Sequence, residues 1–209
     1  MKITELRDRS GLTIDWMHDF VRESNKIDPQ PGYENEPGSP RFDSHLATLY
    51  WAVEKALGGT IASPSDCHES LMFAFLYDAG EYRTVGVRVG PYVKPAPHRI
   101  AGMMAEWAKR VESTILGLTR TGADPQPADD VKREALWGLH CEYENIHPWR
   151  DGNGRSGRLL MVNHAMLVGL EPWTIHFGDE QQAYYRRIEA HPSHAWGNGR
   201  MATQRERLV

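Results

Sequence analysis

Residues 147–158 read HPWRDGNGRSGR, a composition that is hard to explain as an ordinary connection between two helices. Gly152, Asn153 and Gly154 can take backbone conformations that other residues resist, so that consecutive N–H groups converge on an anion. The helix that follows presents its positive N-terminal end at the same place. The segment therefore predicts a cradle for phosphate groups.

Charged and titratable side chains flank this cradle. Arg155 and Arg158 fall on the first turn of the following helix, where each can offer a forked set of donors to phosphate oxygens. Asp151 supplies a carboxylate for a hard cation such as Mg²⁺, although Asp is also a common helix cap. His147 has an ordinary pKa near neutrality and could take a proton from a hydroxyl nucleophile. A base, a metal ligand and phosphate donors thus occur in one short segment.

Composition and charge exclude several classes of protein. The 209 residues include 24 Lys plus Arg against 28 Asp plus Glu, a balance that is unlike that of a nonspecific nucleic-acid binder. No apolar run approaches the ~20 residues of a membrane span, and the start of the chain lacks targeting features. Cys67 and Cys141 are too few for a disulfide scaffold. We therefore expect a cytoplasmic protein with reduced thiols and no membrane or nucleic-acid partner.

The spacing of apolar residues predicts mostly helices. Helical periodicity covers residues 12–27, 43–57, 65–78, 97–118, 128–146, a segment that ends near 169, and 179–190. Val85, Val87 and Val89 instead alternate with polar residues and glycine, and Gly90 and Pro91 follow as a turn, which predicts an exposed hairpin. The remaining residues, 191–209, are too polar to add to a core. We expect a mainly α fold, a helical bundle with a small inserted β-hairpin flap.

The segment HPWRDGNGRSGR resembles the Fic motif, HPFx(D/E)GNGRxxR, and departs from it only where Trp149 replaces the usual Phe. CEYENIHPW is similar to the lead-in of the Fic/Doc (Fido-fold) family, GEYRTVGVRV to its flap and AYYRRIEA to its closing helix. The likeness spans roughly residues 80–190. It implies a Fic-type catalytic core over 41–190, an N-terminal helix and loop over 1–40, and a polar tail over 191–209.

The resemblance implies a protein adenylyltransferase, which transfers AMP from ATP to a Ser, Thr or Tyr hydroxyl of a target protein and releases pyrophosphate. In that assignment His147 is the catalytic base and Asp151 holds Mg²⁺. The residues that would bind the nucleotide are Gly152, Asn153, Gly154, Arg155 and Arg158. The flap between Tyr82 and Tyr92 would dock the target backbone as an added strand. A separate inhibitor or antitoxin protein is also compatible with the resemblance.

Other functions stay open on the sequence alone. Gly154 favours AMP transfer, because the Doc branch, which phosphorylates its target, usually has a lysine there. Transfer of a phosphoryl, uridylyl or phosphocholine group is the main rival, since the motif recognises a diphosphate more than a base. A non-catalytic Fic-like binding module ranks lower because the motif is complete.

Residues 23–29, ESNKIDP, resemble the inhibitory signature (S/T)xxxE(G/N) of the family. Ser24 fits this signature, whereas Asp28 and Pro29 do not. The inhibitory Glu pairs with the second arginine of the motif, which is Arg158 here. Asp28 reaches about 1.5 Å less far than Glu, and Pro29 disfavours helix at Asp28. We expect weak or absent self-inhibition through Ser24 and Asp28, or simply a packing helix.

Overall fold

The computed structural model describes residues 3–27, 35–119 and 127–197. Within these ranges the elements are α1 (Ile3–Ser10), α2 (Ile14–Ile27), α3 (Pro40–Leu57), α4 (Pro64–Met72), β1 (Arg88–Val89), β2 (Tyr92–Val93), α5 (Pro97–Thr119), α6 (Asp129–Ile146), α7 (Asn153–Leu167), α8 (Asp179–Ala190) and a 3₁₀-helix (Pro192–Trp196). The predicted mainly α fold with one small hairpin is confirmed. None of the described helices is long and apolar enough to cross a bilayer.

Local sequence signals explain where α3 and α4 begin. Ser39 and Ser63 occupy the N-cap positions, and each hydroxyl accepts a hydrogen bond from the backbone of the first turn. Pro40 and Pro64 follow them, at a position where a missing N–H costs nothing. The two helices thus start where side chains satisfy backbone donors.

Helix α7 lies at the centre of the molecule and packs against α3, α4 and α6. Its apolar residues Leu159 and Leu160 are buried, and its polar residues are buried with them. The Asn163 side chain accepts from the N–H of Ala62 at 3.0 Å and donates to the carbonyl of Ala52 at 3.0 Å. The loop that precedes α7 is therefore attached to a helix that is packed on several sides.

Both cysteines are buried and unpaired, as the sequence predicts. Cys67 belongs to the main hydrophobic cluster, and Cys141 belongs to a second cluster with Tyr184 and Ile188 of α8. Burial raises the pKa of both thiols, that of Cys141 to about 12. Each therefore serves as a small apolar core residue.

Helix α4 and the hairpin are shorter than the sequence predicts. Helix α4 ends at Met72, because the chain then turns until the N–H of Gly80 donates to Nδ1 of His68 at 2.9 Å. Phe73 is largely exposed as a result, although it belongs to an apolar run. In the hairpin, Arg88 pairs with Val93, and the strands do not extend back to residue 85.

Two short elements were not predicted. Helix α1 is polar and buries Leu6 without a clear helical period. The 3₁₀-helix packs on α6, where Ser193 is buried and accepts a hydrogen bond from Nδ2 of Asn145 at 2.9 Å. The expectation that the tail adds nothing to the core is therefore wrong for residues 192–196, since Ser193 is buried and Trp196 packs against the main hydrophobic cluster. Residues 198–209 lie outside the described ranges.

Candidate active site

His147 is the C-cap of α6 and has a left-handed backbone, with φ 53° and ψ 64°. Its N–H donates to the carbonyl of Tyr143 at 3.0 Å. No other non-glycine residue of the described ranges has a positive φ. Such a backbone costs energy for a side chain with a Cβ and marks sites where the surrounding structure imposes it. The chain leaves α6 and enters the predicted phosphate loop at this residue.

Trp149 anchors the loop to the core. Its ring is fully buried and lies between the rings of His68, 4.4 Å away, and Tyr82, 5.1 Å away. Its Nε1 donates to the Tyr143 hydroxyl at 2.6 Å. The large ring thus fills the space beneath the loop as a core residue.

The loop closes on itself before α7 begins. The Asn153 side chain accepts from the N–H of Trp149 at 2.9 Å and donates to the carbonyl of Trp149 at 3.0 Å. The side-chain amide of Asn153 therefore stabilises the loop. Only the backbone N–H of Asn153, on the first turn of α7, is left to point toward an anion. Gly152 has a φ of 74°, and a Cβ there would lie 2.9 Å from Sδ of Met72. The positive φ therefore favours glycine at 152, and a Cβ there would also require the flexible Met72 side chain to shift.

Asp151 lies at the rim of the loop, and its side chain is 30% exposed. Its Oδ1 accepts from the N–H of Gly152 at 2.6 Å and lies 3.4 Å from Nη2 of Arg155. Its carbonyl accepts from Nε2 of His68 at 3.0 Å, because Nδ1 of that ring accepts from Gly80. The described residues contain no cluster of three or more metal-ligating side chains. A single carboxylate beside helix N–H groups fits Mg²⁺, which takes its other ligands from phosphates and water.

The two arginines of the motif are buried beside this loop. Nε of Arg158 donates to the Ser24 hydroxyl at 2.8 Å, and its Nη2 donates to the Ser24 carbonyl at 2.8 Å. Its Nη1 donates to the Tyr184 hydroxyl at 3.4 Å and would lie 3.0 Å from a Cβ at Gly154. The structure therefore brings Ser24 to Arg158, while Asp28 lies outside the described residues. Arg155 is equally buried and faces Asp151.

The environment of His147 favours a neutral imidazole. Burial, followed by the charges of Lys94 and Arg83, lowers its pKa to about 3, and the backbone of Glu144 and the charge of Asp151 act in the opposite direction. At neutral pH the ring therefore has a lone pair that can accept a proton. A cavity of about 300 Å³ adjoins the ring and is lined by residues 89–92 of the flap and by α8.

Three residues of this site, His68, Arg83 and Lys94, were not predicted from the sequence. Each is largely buried and contacts the loop or lies beside His147. Arg83 and Lys94 flank a segment whose alternating pattern indicates an exposed hairpin. No local signal marks a charged residue that will be buried by contacts with a segment more than fifty positions away.

Relatives with known names match the central part of the chain. Residues 65–165 match the model of the Fic/DOC family. A protein adenylyltransferase Fic from Nematostella vectensis is 31% identical over 133 residues, which are 63% of this chain and 29% of that protein. One from Drosophila willistoni is 35% identical over 95 residues, which are 46% of this chain and 17% of that protein. The chain thus spans less than a third of the length of either relative.

Solved structures resemble nearly the whole described fold. A Fic domain containing signaling protein from Bacteroides thetaiotaomicron has a TM-score of 0.64 at 18% identity, over 90% of this chain and 80% of that one. Fic-1 (aa134–508) from C. elegans has a TM-score of 0.58 at 18% identity, over 93% of this chain and 64% of that one. The helical bundle of this chain thus has the same fold as these solved Fic structures. Residues 65–165 of this chain are similar to the Fic/DOC family, and the chain shares the fold of solved Fic-domain structures.

Proposed function

We propose that the protein is an adenylyltransferase that transfers AMP from ATP to a Ser, Thr or Tyr hydroxyl of a target protein. The observation that carries this proposal is a neutral, half-buried His147 next to a helix N-terminus that has two buried arginines, Arg155 and Arg158. The names of the relatives support the same activity, although this chain covers only part of their length.

In the proposed reaction the target hydroxyl oxygen attacks the α-phosphorus of ATP. The new O–P bond forms while the bond from the α-phosphorus to the bridging oxygen breaks, and pyrophosphate leaves with that electron pair. The hydroxyl proton passes to the imidazole of His147. The N–H groups of the first turn of α7 and the guanidinium group of Arg155 stabilise the phosphate charge. Arg158 can join them once it leaves Ser24.

Asp151 is the residue that would hold Mg²⁺. The ion would supply positive charge that offsets the charge of the polyphosphate. The protein contributes this carboxylate in a fixed position, because the Asp151 carbonyl is tied to His68 and its Oδ1 to the following N–H.

The flap is the proposed docking site of the target. Arg88 and Val89 of β1 are exposed, and a short two-stranded sheet can accept a third strand through backbone hydrogen bonds. The unpaired thiols are consistent with the reducing cytoplasm, where we propose that the reaction takes place.

Label transfer tests the proposed function directly. The protein is incubated with cell lysate and with ATP labelled at the α or the γ phosphate. We expect protein-bound label from α-labelled ATP only, and a loss of at least about 100-fold in His147→Ala. His147→Asn is a second variant, since Asn tolerates the left-handed backbone better than Ala does. The exposed His98→Ala is the matched control and should label like the wild type.

Each other outcome identifies another reaction or none. Label from γ-labelled ATP alone would assign phosphoryl transfer, and label from UTP or CDP-choline would assign the corresponding group. Equal labelling by wild type and both His147 variants would overturn the role of this base.

A further inference from the structure

Arg83 is a buried cation at the root of the flap, and its guanidinium group contacts three backbone carbonyls. Its Nε donates to the carbonyl of His147 at 2.7 Å, its Nη1 to Val85 at 2.9 Å and its Nη2 to Pro95 at 2.6 Å. Its own N–H donates to the carbonyl of Pro148 at 3.0 Å. Val85 precedes β1 and Pro95 follows β2, so one side chain joins both sides of the hairpin root to His147.

We propose that Arg83 is a positioning residue for the transfer reaction, which fixes the backbone of His147 and couples it to the flap. This inference rests on the proposed function. The direction of a carbonyl is set by the ψ angle of its own residue, so the bond from Nε of Arg83 restrains the ψ of 64° at His147. A left-handed non-glycine residue persists only where its surroundings enforce it. Docking on the flap and orientation of the base then depend on the same side chain.

An uncharged side chain could donate to these carbonyls at a smaller desolvation cost. The positive charge of Arg83 therefore needs a separate explanation. Among the residues that the structure describes, its guanidinium group meets carbonyls and no carboxylate. Its charge helps to lower the pKa of His147, together with burial and Lys94. The other titratable groups near that ring are Tyr92, Asp151, Glu144, Glu189, Tyr185 and His194.

Two variants separate the geometric effect from the charge. Arg83→Lys keeps the charge, but an ammonium group cannot reproduce the planar fork that meets three carbonyls. We expect kcat to fall roughly 10- to 100-fold while the KM for ATP changes by less than about twofold, because Arg83 touches no residue from 149 to 158 in the described contacts. Arg83→Gln removes the charge as well, so the pKa of His147 should rise and the acid limb of kcat/KM should move to higher pH.

The measurements are transfer of α-labelled AMP, the pH profile of kcat/KM, and NMR titration of the His147 ring in the purified protein. Circular dichroism gives the folded fraction of each variant. Arg99→Lys is the matched control, because Arg99 also donates to a carbonyl, that of Trp196 at 3.1 Å, but at an exposed site. It should keep the wild-type kcat.

The proposal is overturned if Arg83→Lys keeps the wild-type kcat, if kcat falls only in proportion to the folded fraction, or if the KM for ATP changes in place of kcat. Should Arg83→Gln fail to fold, the Lys variant still decides. If the wild type transfers no group from any nucleotide, the proposed function fails. The NMR comparison then tests Arg83 alone, and an unchanged His147 ring environment in both variants would refute the positioning role.

Discussion

Gly157 allows α7 to lie close against α6 directly behind the phosphate loop. A Cβ at this residue would lie 2.5 Å from Oε1 of Glu144 and 3.0 Å from both Cε1 of His140 and Cδ1 of Tyr143. The hydroxyl of Tyr143 in turn meets the Ser156 hydroxyl at 2.8 Å. The absence of a side chain at Gly157 therefore sets the distance between α6, which ends next to His147, and α7, which begins at the phosphate loop.

Gly157→Ala should destabilise the protein by up to about 2 kcal/mol. Overpacking in a core costs about 1 to 3 kcal/mol, and the better helix propensity of Ala returns only about 1 kcal/mol. Urea unfolding measures the difference. The control is Gly102→Ala in α5, where a Cβ would meet nothing within 4 Å, so that variant should be neutral or more stable. Equal free energies of unfolding for the two variants would contradict this account.

At the residue scale, the sequence predicts those site residues that lie together in one segment. The structure places Asp151 beside Arg155 and Gly154 beside Arg158, and it brings Ser24 of the inhibitory signature to Arg158. The part that Asn153 plays differs, because its amide is engaged by Trp149 on both its oxygen and its nitrogen. Which of two polar roles an amide takes depends on tertiary contacts, and spacing along the chain does not encode them.

At the scale of elements, the end of α2 is held from several sides. Its Ser24 engages Arg158 of α7, and Nδ1 of His45 in α3 meets Oδ1 of Asn25 at 2.9 Å. The hydroxyl of Tyr185 in α8 donates to the carbonyl of Ile27 at 3.0 Å. The described hydrogen bonds of Arg158 go to the hydroxyl groups of Ser24 and Tyr184 and to the carbonyl of Ser24, which are uncharged acceptors. A polyphosphate should therefore compete well for Arg158.

Ser24→Ala should bind MgATP roughly three- to tenfold more tightly than the wild type, because one hydrogen bond that competes for Arg158 is lost. Calorimetric titration measures this affinity. Ser113→Ala, which removes an exposed hydroxyl on α5, is the control and should bind like the wild type. Weaker binding by Ser24→Ala would mean that Ser24 presents Arg158 to phosphate.

Self-modification by Asp28→Ala should show no large gain, in keeping with the weak inhibition expected from the sequence.

Long periodic helices follow from the sequence, whereas short polar elements do not. The patterns for α2, α5 and α8 match the observed helices closely, because each buries an apolar stripe. Helix α4 ends early since His68 and Gly80 draw the chain back, and nothing in an apolar run signals that bond. The buried residue of the 3₁₀-helix is Ser193, which is held by a hydrogen bond. Such an element has no periodic apolar pattern from which the sequence could predict it.

At the scale of the whole molecule, four buried histidines and the half-buried His147 are held neutral among the described residues. Burial is the largest cause in each case, and it lowers the pKa to about 4 for His68 and His164 and to about 3 for His140 and His147, with His45 also well below its usual range. The unfolded chain binds these protons near pH 6.5, while the folded protein does not. These five groups therefore do not reduce the free energy of unfolding above pH 6.5, and they reduce it increasingly as the pH drops toward 4.

Replacing one of these histidines should flatten that acid dependence. His164→Leu removes a buried imidazole outside the proposed site, so the slope of the free energy of unfolding between pH 6.5 and 4 should drop by up to ~1.4 kcal/mol per pH unit. Urea unfolding at several pH values measures the slope. His176→Gln is the control, because Glu180 raises the pKa of this exposed group and its contribution is lost at higher pH. An acid slope unchanged by His164→Leu would contradict the assignment.

The two unpaired cysteines sit in different hydrophobic clusters, one beneath the start of α7 and the other against α8. A thiol that is buried and protonated reacts with an alkylating reagent only during an opening event. The alkylation rates of Cys67 and Cys141 in one sample thus report separately how often each of the two hydrophobic clusters opens. Comparing the two rates with and without nucleotide would show whether a ligand at the phosphate loop suppresses opening of one cluster or of both.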